Sequence, residues 1–192
     1  MSSFEVSTDA IRGEIADACN VLTEQIEDFY ECTATQLGMF AESAKCDGAY
    51  QTLSVSSLES SIDQCRFCAA LRHVYRANAV LRTRIVECSL GIVQAVIDED
   101  LEIRRPTDGL EHYLQKEKKR HMWLGTLLGT VTIVERKLVC LTHHATRDDS
   151  ALQFFMADVM RAYLNESAFP RAAFKDYVRH CSNIDKDASV AF

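Results

Sequence analysis

The stretch that most limits what this chain can fold into is 116–141, KEKKRHMWLGTLLGTVTIVERKLVCL. It opens on Lys116, Lys118, Lys119 and Arg120, passes His121 and the only tryptophan, Trp123, and then carries no charge until Glu135. Apolar residues at Trp123, Leu127, Val131, Val134, Leu138 and Leu141 recur in steps of three and four, the spacing of one buried helical face. The uncharged run is shorter than the roughly 18 to 20 residues a membrane span needs. The spacing therefore predicts a core helix. Gly125 and Gly129 weaken it by about 1 kcal/mol each relative to alanine, and together they leave a smooth strip for a neighbouring helix or an alkyl chain.

The rest of the composition points the same way. A chain of 192 residues fits one domain, 1–192, with 1–7 and 183–192 expected as flexible ends. Apolar residues at 47% and charged residues at 26% exclude a disordered chain. Seven glycines and two prolines give little punctuation for hairpins, so the expected class is all-α. The net charge of −7 disfavours non-specific nucleic-acid binding. Eight cysteines without a signal-peptide pattern suggest free thiols in a reducing, cytoplasmic setting, with Cys19, Cys32, Cys88 and Cys140 packing as small hydrophobes. Cys65 and Cys68 form a lone CxxC, and His143-His144 is a lone pair; neither has a second pair at zinc-ligand spacing, so no metal and no cofactor is expected. Gly-rich phosphate loops, HExxH and GxSxG are all missing from the sequence.

Taken in order, 8–44 keeps helical period as one long helix or two, with a bend at Gly38. Cys46-Asp47-Gly48 marks a turn, and 51–57 is a polar segment. Ser56 with Glu59 forms a candidate capping box for a helix through 58–97, broken near Asn78 or Gly91. Pro106 ends that run, and Asp108 with Glu111 caps the next. Ser150 with Gln153 opens a helix bearing Leu152, Phe155, Met156, Val159 and Met160. Pro170 kinks the chain before a last amphipathic segment with Phe174, Tyr177 and Val178.

The order of four segments resembles the glycolipid transfer protein family. They are Leu37-Gly38 ahead of Asp47, the run Ser89-Leu90-Gly91-Ile92-Val93-Gln94-Ala95-Val96-Ile97, the run Lys119-Arg120-His121-Met122-Trp123, and the run from Met160 to Ala168. The resemblance implies a two-layer, all-helical single domain. Its function would be non-catalytic binding and intermembrane transfer of a sphingolipid by a monomer that touches the membrane surface. By the same resemblance, Asp47 accepts from the ceramide amide N–H and His121 donates to its carbonyl, since a swallowed amide without partners costs a few kcal/mol. Gln51 and Arg84 would stand at the head group, and the guanidinium favours a phosphate such as ceramide-1-phosphate. Trp123, Lys119 and Arg120 would meet the membrane, and Phe40, Leu90, Val93, Leu127, Leu128 and Val131 would line the chain pocket. Gln51 and Ser54 depart from the basic and amide residues the family places after its aspartate. Two other readings stay open: an inactive ferritin-like bundle subunit, on 134–138, 143–146 and 163–166, and a helical adaptor within a larger assembly.

Overall fold

The computed structural model describes residues 7–167 and 171–183. Where a core helix is expected, the chain instead forms an antiparallel hairpin of β6 (Gly129–Val134) and β7 (Lys137–His143), with Val134 opposite Lys137 and Gly129 opposite Thr142. The reasons are local. Gly125 takes a φ of 78°, and a Cβ there would run into the Ala18 carbonyl, so the segment cannot be helical. Thr130, Val131, Thr132, Ile133 and Val134 are all β-branched and fit a pleated surface better than a helix. Glu135 and Arg136 both take positive φ, 48° and 59°, which gives the two-residue turn that matches strand twist. Arg136 is pinned there: its carbonyl accepts from Leu58 N at 2.8 Å and its guanidinium donates to the Ile62 carbonyl at 3.0 Å.

The hairpin is the centre of a four-stranded sheet. β2 (Gln51–Ser57) pairs antiparallel with β7, and the two-residue β5 (Ile103–Arg104) pairs parallel with β6. Both faces of β7 are covered. Leu138 and Cys140 pack with Ile133 under two helices, α3 (Gln64–Ala77) and α5 (Asp149–Tyr163), through Phe67, Leu71, Val74 and Val159. Val139 meets Tyr113 of α4 (Leu110–Glu117), and Leu141 meets Phe40 of α2 (Ala34–Ser43). A strand buried on both faces reads as an apolar run without alternation, and here its apolar spacing mimics a helical period.

The second sheet has the order β1 (Ile26–Glu31), β4 (Gly91–Ile97), β3 (Thr83–Cys88), all antiparallel. Helix α1 (Thr8–Cys19) is capped by Ser7 and buries Ile11 and Ile15 against Val86, Val93 and Ile97. The chain closes with α6 (Phe174–Ser182).

The all-α expectation is thus corrected, and with it the two-layer helical, ferritin-like and helical-adaptor readings. The 58–97 helix is only α3; it stops at Asn78 as expected, but Gly91 begins a strand. Ser56 lies in β2, and the cap of α3 is Asp63, whose Oδ1 accepts from Cys65 N and Arg66 N. α5 is capped by Asp148, accepting from Ala151 N at 2.7 Å, rather than by Ser150. The turn at Cys46-Asp47-Gly48 and the helices α5 and α6 lie where the sequence puts them. All eight cysteines are free thiols. Pro170 and all of the expected flexible ends, 1–7 and 183–192, except Ser7 and Asn183 lie outside the described residues. Among the described residues, no helix is long and apolar enough to cross a membrane.

Candidate functional site

The end of β7 delivers two adjacent imidazoles into different surroundings. β2 pairs along β7 with Gln51 opposite His143 and Thr52 opposite Thr142, so that Thr52 is the diagonal neighbour of His144, two residues on from Thr142. His143 points to the same face as Leu141. It is fully buried and its ring lies 4.6 Å from that of Phe40. Its Nδ1 accepts from Ala145 N at 3.1 Å, so Nε2 carries the proton and donates to Ser43 Oγ at 3.0 Å. The Ser43 hydroxyl has the carbonyls of Met39, at 2.9 Å, and Ala49, at 3.0 Å, as acceptors. Burial, with His144 adding to it, pushes the His143 pKa down to about 4. This is a neutral imidazole held at both nitrogens.

His144 is half-buried. Its backbone N–H donates to the Tyr50 carbonyl at 2.8 Å, and its Nε2 lies 2.9 Å from Thr52 Oγ1. The ring lines a cavity of about 370 Å³ bounded by Gln36 and Met39 of α2, Ala151 of α5, and Phe174 and Tyr177 of α6. Gln36 is buried and ties this corner to the second sheet. Its Nε2 donates to the Ala145 carbonyl at 3.0 Å and to Gln94 Oε1 of β4 at 3.2 Å, and Gln94 returns a bond to Gln36 Oε1. The turn that carries His144 is therefore fixed by α2 on one side and by the Asp148 cap of α5 on the other. A half-exposed imidazole in a walled cavity can accept and return a proton. Among the described residues no three His, Cys, Asp or Glu side chains gather as a metal site would need.

The residues expected at a lipid site are distributed differently. Asp47 and His121 do meet, with Nδ1 3.6 Å from Oδ1, but on an exposed turn. The Gln51 amide, oriented to satisfy both neighbours, donates to the Arg120 carbonyl at 2.8 Å and accepts from Met122 N at 3.0 Å. It ties down the 120–122 segment. Arg84 is buried, paired with Glu99 at 2.5 Å and donating to the Cys19 carbonyl at 2.8 Å, so it faces no head group. Arg120 forks onto the buried Glu117 at 2.9 and 2.8 Å, Lys119 is exposed, and Trp123 is 45% exposed rather than core. Phe40 and Leu128, Val93, and Val131 belong to three different clusters; Leu127 is half-buried and Leu90 projects from the β3–β4 turn. They form no single chain pocket. Conversely, sequence reading left His144, Thr52, Ser43 and Gln36 unassigned. The one signal was the adjacent histidine pair, weighed only as a metal half-site and as part of a ferritin-like bundle.

The two-sheet fold is similar to that of solved condensation domains. The chain shares its fold over 98% of its length with 47% of the solved holo T3CT, at a TM-score of 0.74 and 18% identity. It shares it over 81% of its length with 43% of the starter condensation domain of rhizomide synthetase RzmA, at a TM-score of 0.67 and 13% identity. At such identities the likeness is one of fold. Closer in sequence are fungal synthetases. Over 151 residues, 76% of the chain, it is 41% identical to the nonribosomal peptide synthetase valB of Aspergillus terreus. Over 95% of its length it is 33% identical to AM-toxin synthetase AMT1 of Alternaria alternata. The chain spans 6% and 4% of the length of these two relatives. No family model matches it. These likenesses overturn the resemblance to glycolipid transfer proteins, and with it the sphingolipid partner, the transfer function and the expectation of a non-catalytic protein.

Proposed function

We propose that this chain is a histidine-bearing part of a nonribosomal peptide synthetase condensation domain, in which His144 serves transfer of an acyl group from a carrier-bound thioester to an amine. The observation that carries the reading is the setting of His144: held at Nε2 by Thr52, on the wall of a cavity, next to an imidazole kept neutral by burial. Amide formation needs a C–N bond made by the amine lone pair at the thioester carbonyl, loss of a proton from that nitrogen, and cleavage of the C–S bond with its electron pair going to sulfur. His144 takes the proton from the attacking nitrogen and returns it to the departing thiolate. A base positioned in this way contributes about 10²- to 10⁴-fold to rate. His143 does not exchange protons near neutral pH; it is a positioning residue that fixes the turn through Ala145 N.

The test is aminolysis of an aminoacyl N-acetylcysteamine thioester by an amino-acid amide, followed by mass spectrometry of the product. The wild-type chain should form amide above the uncatalysed background, and His144→Val should lower the rate about 10²-fold or more with unchanged thermal stability. Background-level product from the wild type, or equal product from the folded variant, would refute the assignment.

A further inference from the structure

The space beside His144 continues away from it. Phe174, Tyr177 and Val80 border both its cavity and a larger one of about 460 Å³, while Val80, Thr146 and Ala151 border both its cavity and a smaller one of about 140 Å³. Asp158 of α5 lines the larger and the smaller cavity, and its side chain is only 5% exposed. Its Oδ2 accepts from Arg171 Nε at 2.8 Å, but Oδ1 has no hydrogen-bond partner among the described residues. Leaving a buried acceptor unmade costs about 1–3 kcal/mol, so a cavity wall is where a ligand donor would satisfy it. Arg171 already matches the carboxylate charge, which calls for a neutral donor rather than a second cation. Apart from His73 and Asn78, the remaining walls are small or apolar, from Val74, Ala77 and Ala79 to Phe174 and Tyr177, whose rings lie 5.7 Å apart. That lining suits a flat ring.

We infer that Asp158 is a specificity-determining residue: the cavity takes a flat aromatic group with one N–H or O–H, of the indole or phenol kind, and Oδ1 accepts that hydrogen. The identification of this group as a side chain of the acyl substrate rests on the acyl-transfer reading; the pocket and its donor preference do not.

The experiment is calorimetric and NMR titration of the full chain with indole and with indene, which has the same shape but no N–H. Indole should bind about tenfold more tightly than indene, shifting the signals of Val80 and Phe174, and Asp158→Leu should remove the difference while indene still binds. Should Asp158→Leu fail to fold, the wild-type pair decides alone. Equal affinities, or no binding of either, overturn the inference. Indole preference in a chain without aminolysis upholds the pocket and refutes acyl transfer, whereas aminolysis without indole preference refutes the pocket alone.

Discussion

Ser43 Oγ on α2 lies 3.0 Å from Nε2 of His143 at the end of β7, and both groups are buried. The hydroxyl is the acceptor for a proton that has nowhere else to go, because Ala145 N occupies the other ring nitrogen.

Ser43→Ala should therefore leave a buried N–H unmade. The expected loss is about 1–3 kcal/mol, measured as a lower urea midpoint with an unchanged slope. Aminolysis should fall as well, because the same ring fixes the turn that carries His144. A variant as stable and as active as the wild type would show that the ring is held without the serine.

The depressed pKa of His143 makes a prediction about acid. In the unfolded chain the group titrates near 6.5, and in the folded chain burial holds it at about 4. Between these values the unfolded state binds the extra proton. The contribution is whole above pH 6.5 and is lost as pH falls toward 4, by up to about 3 kcal/mol. Urea unfolding of wild type and His143→Gln across this window should give a steeper acid loss for the wild type. Parallel curves would mean that the imidazole is not buried in solution.

Buried Arg84 pairs with half-buried Glu99, and Arg84 Nε and Glu99 Oε1 have no hydrogen-bond partners among the described residues. Arg84→Met should cost about 3–5 kcal/mol by stranding the carboxylate, while Arg84→Met with Glu99→Leu should recover most of it. Chemical denaturation of the two variants checks this. A double variant no more stable than the single one would place the cost in lost packing.

The parts of the fold that the sequence disclosed are those with local grammar. Asn78 stops α3, Cys46-Asp47-Gly48 turns, and α5 and α6 keep apolar residues on one side. The strands were illegible for identifiable reasons. Leu138, Val139, Cys140 and Leu141 are all buried, so no alternation betrays β7. Its hairpin turns on Glu135 and Arg136, a pair without the glycine or asparagine that normally marks positive φ. β2 is the opposite case, a half-exposed strand of serine and threonine that reads as a loop. The site was hidden with them, since Thr52 reaches His144 only through the β2–β7 register. Arg84 misled because burial cannot be read from one residue: a guanidinium suited to phosphate was already spent on Glu99.

The two sheets are threaded through each other in sequence, and this has a consequence during synthesis. β1 emerges with its partner β4 still to be made, then β2 emerges with β7 further off still, and β3 and β4 lie between β2 and β7. Two strand edges thus wait unpaired on the growing chain, a state that is slow to resolve and open to association with other chains. The corner bearing His144 can be assembled only when β7 arrives between β2 and β6, so a nascent chain halted before that strand would lack the site altogether.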